Sequence, residues 1–577
     1  MNRRRRKTAP AMPVWRRHAL LGLFALVALT LQARLVWLQL FEGDYLTAEG
    51  DQRQEREVEM SAHRGLLLDR RGEPLGVSTP VDSIIVDPQR IPLDRDQIYE
   101  LARAVNRDGA EVEREITSRM DRRYYRLRRG LAPADAAKVI KLGIQGVWSE
   151  REYKRFYPHA EVTCHILGFT GEDDAGQEGL ELLYDYELAG NPGSKRVQRD
   201  ERGRLLADVE QIKAPRPGRD IRLSLELRLQ FEAYRALKAA VQESGAGSGS
   251  LVLLDVETGE VLVMVNQPAC NPNDPEQRDD PASYRNRAIT DIFEPGSTIK
   301  PLILATALES GDYAPETLID VPKYLAVPGV RRPLTNDQVP LGIVSVTEIL
   351  ARSSNVGMGL IGLELDPAKM WRTLRAFGVG GSTEGGLGSL EAYGTLNNHS
   401  HWNAVGQATL SYGYGLSVTP LQLARAYAAI GSGGLLPPVS FKTLDEPPER
   451  VRVIRPEIAA DLMTMLEAVV ASDTGTAQRA EIPNYGVAGK TGTILILEST
   501  GYSDSRHNAV FAGIAPASKP RFVAVVVIND PRGQAYYGGE VAAPVFAAVM
   551  STALRWYGVA PDVVEETTLL SRAEVPQ

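Results

Sequence analysis

Residues 19–41 constrain this chain more than any other stretch. They form an apolar run, Ala19 to Phe41, interrupted by Gln32, Arg34 and Gln39. A helix of about 20 predominantly apolar residues spans a bilayer. Ahead of the run, residues 1–18 hold seven cations (Arg3, Arg4, Arg5, Arg6, Lys7, Arg16 and Arg17) and no acid. Such a bias places the N-terminus in the cytoplasm. Arg34 stands toward the far end, where its long side chain can snorkel or face a partner helix. A cleaved signal peptide is the competing reading, but no small-x-small site follows; the chain runs on as Gln32-Ala33-Arg34-Leu35-Val36-Trp37. The expectation is an uncleaved anchor over 19–41, a cytoplasmic tail over 1–18, and everything else outside.

That remainder is large. The chain has 577 residues, enough for several domains of about 100–200 residues each. Its net charge is −8, and residues 42–577 carry −16 once the seven tail cations and Arg34 are set apart. An acidic ectodomain of this kind argues against a nucleic-acid binder. The two cysteines, Cys164 and Cys270, are far apart in sequence and are expected to be unpaired in different domains, although an oxidising compartment permits a bond.

Residues 42–60 read as a charged stalk. Leu66 to Leu68, Pro74 to Val77 and Ser83 to Val86 read as strands, and 94–145 as helical from apolar positions three and four apart. A domain boundary is placed near Gly218. After it come a strand (Ile221 to Leu225), a helix (Leu227 to Val241), and a hairpin of Ser250 to Val256 with Glu260 to Asn266. Three strands close the chain: Gly486 to Thr493, Asn508 to Ile514 and Phe522 to Ile528. The last two pair antiparallel. The last dozen residues read as a disordered tail. The expected fold class is α/β, an antiparallel five-stranded sheet sandwiched by helices over 219–577. An α+β pedestal domain over 42–218 precedes it, after one transmembrane helix.

Three short motifs carry chemistry. Glu294-Pro295-Gly296-Ser297-Thr298-Ile299-Lys300-Pro301 contains the chain's single Ser-x-x-Lys. Pro-Gly makes a turn and a helix follows, so Ser297 stands at a helix start with Lys300 one turn on, on the same face. A serine hydroxyl needs an adjacent base. Lysine serves only if its pKa falls by about three units, which costs about 4 kcal/mol. Burial and a second cation supply that, and Lys490 is the candidate cation. The single Ser-x-Asn, Ser353-Ser354-Asn355, lies on a loop after a helical run. Lys490-Thr491-Gly492-Thr493 lies on an edge strand, where flanking glycines suit the approach of an extended substrate. It is not a phosphate loop, since no glycine stands five residues before Gly489 and no helix follows. His399-Ser400-His401 is too thin for a metal site, and no metal or cofactor is expected.

Taken singly, each motif has a bland reading as a cap, a helix-end cluster or a strand. Their order, Ser-x-x-Lys then Ser-x-Asn then Lys-Thr-Gly, is specific. The chain resembles the class B penicillin-binding proteins over nearly its whole length. Arg64-Gly65-Leu66-Leu67-Leu68-Asp69-Arg70 looks like their pedestal signature, in which Arg64, Gly65, Asp69 and Arg70 are structural. The stretch Ser411 to Ala424, and Tyr536-Tyr537-Gly538-Gly539, are similar to the septal branch.

The resemblance implies a peptidoglycan D,D-transpeptidase of the bacterial inner membrane, its catalytic domain periplasmic. Ser297 attacks the penultimate D-Ala carbonyl of a D-Ala-D-Ala stem peptide and Lys300 takes its proton. Ser353 passes a proton to the leaving D-Ala. Asn355 binds a substrate amide, Lys490 supplies positive field, and Thr491, Gly492 and Thr493 hold the substrate terminus. Tyr536 and Tyr537 wall the cleft. The oxyanion hole is formed by the N–H groups of Ser297 and Thr493. Implied partners are stem peptides, β-lactam antibiotics, and a septal glycosyltransferase with other division membrane proteins; nucleic acid is not among them. An elongation-type transpeptidase, and a β-lactamase or D,D-carboxypeptidase using water as acceptor, stand as alternatives.

Overall fold

The structure, a computed structural model, describes residues 14–41, 55–199, 205–274, 276–277, 280–329, 333–335, 340–498 and 501–563. The expected tail over 1–18 is described only from Val14, the stalk only from Glu55, and the C-terminal tail lies outside the described residues from 564 onward. The chain divides into two compact units that alternate along the sequence. One takes residues 1–62, 80–152 and 191–216; the other takes 63–79, 153–190 and 217–577.

In the first unit, helix α1 (Val14–Phe41) is the one described helix long and apolar enough to cross a membrane. Strand Glu55–Met60 lies where a stalk was expected. It pairs antiparallel with Gly193–Arg199, which pairs in turn with Leu205–Lys213. The rest is a small α+β body. Helices Arg95–Ala104, Gly109–Thr117 and Pro133–Lys141 bury Ile98, Leu101, Val112, Ile116 and Val139 against Ile84 and Val86. The first two helices start on Asp94 and Asp108, each accepting a backbone N–H as N-cap. The expectation of unbroken helical character over 94–145 is wrong at Tyr125–Leu131, a strand paired with residues 82–86. Only Leu127 of that strand is buried, so a single inward leucine beside three arginines makes no run of alternation long enough to read.

In the second unit, helix α2 (Ala160–Leu167) and helix α3 (Leu227–Glu243) precede a five-stranded sheet. Its strands are β1 (Ser248–Asp255), β2 (Val261–Gln267), β3 (Ala488–Glu498), β4 (Gly501–Ala515) and β5 (Phe522–Asn529). The order is β2-β1-β5-β4-β3, antiparallel throughout, as expected. Every residue of β2, and all but one of β1 and β5, is buried. A strand buried at successive positions is covered on both faces, so helices must lie on each. Helix α3 and the helix Ala543–Trp556 pack together on the sheet. The helices α4 (Lys300–Ser310), α5 (Val346–Ala351), α6 (Asn355–Glu364), α7 (Pro420–Gly431) and α8 (Pro456–Ala471) fill the remainder. Strand β3 ends the order, so its outer edge is unpaired by the sheet.

The cysteines are a correction. Cys164 on α2 and Cys270 just after β2 form a disulfide, with Cα atoms 5.9 Å apart. Their separation of 106 residues suggested different domains, but residues 153–190 fold into the same unit as the sheet.

The Arg64–Arg70 segment is also in this unit. Arg64 is 1% exposed and holds Glu181 through Nε (2.8 Å) and Asp185 through a terminal nitrogen (2.6 Å). Arg155 Nε reaches the other Glu181 oxygen at 2.6 Å. Two guanidiniums thus neutralise a fully buried carboxylate, the arrangement that makes buried charge tolerable. Asp69 accepts the N–H groups of Arg71 and Glu73 at 2.8 Å each, fixing the turn. Arg70 approaches Glu260 at 3.7 Å. A Cβ on Gly65 would meet the Arg219 carbonyl at 2.0 Å, which leaves glycine as the residue that fits.

Candidate active site

Ser297 sits in a 3₁₀ turn, Gly296–Ile299, that runs directly into α4. Gly296 has φ +52, and a Cβ there would meet Ile494 Cγ1 at 2.4 Å. Its N–H donates to Gly413 O at 3.1 Å, and Gly413, at φ +93, has no room for a Cβ against the Gly296 carbonyl. Two backbones therefore press together beside the half-buried Ser297.

Lys300, the first residue of α4, is fully buried. Its Nζ donates to Ser353 O at 2.7 Å, Asn355 Oδ1 at 2.9 Å and Ser353 Oγ at 3.3 Å. Ser353 lies between α5 and α6 with φ +59, a left-handed conformation costly for a residue with a Cβ. Ser354 caps α6, accepting Gly357 N at 2.9 Å. Lys490 on β3 is fully buried as well, and its Nζ donates to Ser353 Oγ at 2.9 Å and Thr491 O at 3.2 Å. The two lysine amino groups thus share one hydroxyl. Burial pushes Lys490 down to about 7, and no acidic side chain pairs with it among the described residues. The cation expected to act on Lys300 is itself only part-charged at neutral pH.

Strand β3 passes close to the nucleophile turn. A Cβ on Gly492 would meet Thr298 Cγ2 at 3.1 Å and Pro295 O at 3.2 Å. Thr493 Oγ1 accepts Gly538 N at 3.1 Å, and Thr491 Oγ1 lies 2.8 Å from Thr476 Oγ1. Tyr536 and Tyr537 stack at 4.4 Å, and Tyr536 stacks on His507 at 4.8 Å. Gly538, just after them, packs against the Gly492 carbonyl, which places this aromatic segment beside the strand.

Ser297, Lys300, Ser353, Asn355, Lys490 and Thr491–Thr493 therefore converge, from segments up to about two hundred residues apart in sequence. Sequence reasoning missed Thr476, His507, Glu294 and Tyr427. Glu294 accepts Gly415 N at 2.7 Å and the Tyr502 hydroxyl at 2.9 Å; Tyr427 donates to Thr298 O at 2.7 Å. Glu294 stood within the motif as written; the other three stand in no motif. His399–His401 forms a 3₁₀ turn with His399 against Trp371, and among the described residues no three His, Cys, Asp or Glu side chains cluster to hold a metal.

Known proteins are similar to this chain over nearly its whole length. Residues 249–551 match the penicillin-binding protein transpeptidase domain, and residues 59–223 the penicillin-binding protein dimerisation domain. The chain is 39% identical over 555 residues to the peptidoglycan D,D-transpeptidase FtsI of Escherichia coli K12, covering 95% of this chain and 93% of that one. It is 38% identical over 547 residues to the probable peptidoglycan D,D-transpeptidase PbpC of Pseudomonas aeruginosa, covering 94% and 96%. Among solved structures, penicillin-binding protein 3 of Mycobacterium tuberculosis complexed with aztreonam matches with a TM-score of 0.68 at 25% identity, over 88% of this chain and all of that one. Two matched domains, the motif set and relatives spanning nearly the whole chain agree: this protein belongs to the penicillin-binding protein transpeptidase family.

Proposed function

We propose that this protein is a serine-type D,D-transpeptidase that cross-links peptidoglycan stem peptides at the division septum and is acylated by β-lactams. The observation that carries the reading is that Lys300, one turn on from Ser297, and Lys490 both contact Ser353 Oγ. In the acylation step, neutral Lys300 accepts the Ser297 hydroxyl proton as Oγ attacks the penultimate D-Ala carbonyl. Backbone N–H groups of Ser297 and Thr493 hold the oxyanion. The C–N bond then breaks, and the leaving D-Ala nitrogen takes a proton through Ser353, backed by two lysines that can replenish it. Asn355 orients the donor peptide, while Lys490, Thr491 and Thr493 receive its carboxylate, with Gly492 giving room. Tyr536 and Tyr537 line the cleft. An amine from a second stem peptide then attacks the ester and regenerates Ser297.

The septal assignment follows the relatives named FtsI, and the alternative is an elongation enzyme. Helix α1 anchors the protein in the inner membrane with the N-terminus inside, given the cations before it. Region 42–218 docks division partners, the septal glycosyltransferase first among them, while the buried, internally bonded Arg64 and Asp69 within it hold the pedestal together. Penicillin treatment of the full-length protein in detergent, followed by mass spectrometry, should place one adduct on Ser297, and Ser297→Ala should abolish labelling while keeping its melt. Labelling elsewhere would sink the assignment. Depletion should give filaments; rounded cells would favour the elongation role.

A further inference from the structure

The peptide that joins Ser297 to Lys300 contains a carbonyl with no donor in its own helix. Within the 3₁₀ turn, Thr298 N donates to Pro295 O and Lys300 N to Ser297 O. The next donor in that register belongs to residue 301, which is proline and has no N–H. The ladder of α4 does not take over in time, because its N-cap is Ile299, whose carbonyl is the first to accept. Thr298 is 0% exposed, so solvent cannot satisfy its carbonyl. The Tyr427 hydroxyl does, at 2.7 Å. Tyr427 is itself 0% exposed and lies on α7, a helix buried from Pro420 through Ile430.

We infer that Tyr427 is a positioning residue for acyl transfer: its hydroxyl replaces the N–H that Pro301 lacks and so orients the peptide between Ser297 and Lys300. This rests on Ser297 and Lys300 acting as nucleophile and base. Without the bond, the Thr298 carbonyl is free to rotate toward another donor. The relative direction of Ser297 Oγ and Lys300 Nζ rotates with it, and small misplacements of reacting groups are costly in rate.

The inference has an internal rescue. Tyr427→Phe removes only the hydroxyl; Pro301→Ala supplies an N–H in the register that the 3₁₀ turn already follows. The experiment is rapid-mixing acylation of the full-length protein by benzylpenicillin, resolving the dissociation constant from the acylation rate constant, with melts alongside. Tyr427→Phe should lower the rate constant about tenfold while the dissociation constant stays within about twofold. Adding Pro301→Ala should bring the rate constant back to within about threefold of wild type. A Tyr427→Phe rate constant equal to wild type overturns the inference. So does a loss lying wholly in the dissociation constant, or a folded double variant that stays slow. If Tyr427→Phe alone does not fold, the double variant decides: folded and fast supports the inference, and slow or unfolded overturns it. A wild-type protein that is not acylated at Ser297 would instead overturn the proposed function.

Discussion

Ser353 Oγ accepts a hydrogen bond from Lys490 Nζ at 2.9 Å, and Ser353 holds that position in a left-handed backbone at φ +59. A buried lysine with no carboxylate partner among the described residues is therefore met by a hydroxyl held in place at a conformational cost. Strain stored at this point is consistent with a catalytic arrangement rather than a stabilising one.

Burial lowers Lys490 from its usual 10.5 to about 7. Between these values the unfolded chain keeps a proton that the folded one lacks, so this residue makes stability rise with pH from about 7 toward 10.5. Below about 7 the buried site must carry the charge, and the contribution is least favourable there. Melting wild type and Lys490→Met across this range should show the wild type gaining on the variant as pH rises. Parallel curves would mean that Lys490 is not desolvated as described.

Lys300→Arg is expected to be nearly as damaging to acylation as Lys300→Ala. A base must be able to lose its proton, and arginine does not. General base catalysis contributes about 10²–10⁴-fold, so both variants should fall by that order. Penicillin labelling of the arginine variant within a few-fold of wild type would leave Lys300 with an electrostatic role alone.

The acyl-enzyme should persist. Fast hydrolysis needs a water and a base to activate it, and Glu384 and Glu391 between the second and third motifs are otherwise engaged. Glu384 pairs with Arg425 at 3.0 Å, and Glu391 accepts the hydroxyls of Ser382 and Thr383 at 2.6 Å each. A chromogenic cephalosporin in excess should give a one-to-one burst followed by little turnover. Sustained hydrolysis would favour the β-lactamase reading.

Cys164→Ser with Cys270→Ser should destabilise the unit that contains the sheet. The bond closes a separation of 106 residues, and removing such a constraint typically costs about 2–4 kcal/mol. A lowered melt in both the double variant and the reduced wild type is expected; unchanged melts would show that the surrounding packing suffices.

Much of the site is legible in the sequence. Ser297 and Lys300 are one turn apart on a helix, a local geometry that spacing alone specifies. Lys490 to Thr493 fall on a strand that its glycines mark as open to an extended substrate, and the strand order places it at the sheet edge. The apolar helix over 19–41 is readable because bilayer thickness sets a length that composition can match, and helix α1 covers that stretch. These features depend on neighbours within a few residues.

What the tertiary structure decided has no local signature. The pairing of Cys164 with Cys270 depends on residues 153–190 folding beside the sheet, although they precede the expected boundary at Gly218. Strand Tyr125–Leu131 is set by its partner at 82–86, since its own pattern buries a single leucine. Lys490 falls to about 7 because the fold removes water from it, which no neighbour in sequence foretells. The absent N–H of Pro301 is written in the sequence; the hydroxyl that replaces it comes from Tyr427, more than a hundred residues away. Sequence specifies which groups are present and which backbone donors are missing. Only packing, which brings distant segments into contact and excludes solvent, decides what satisfies them.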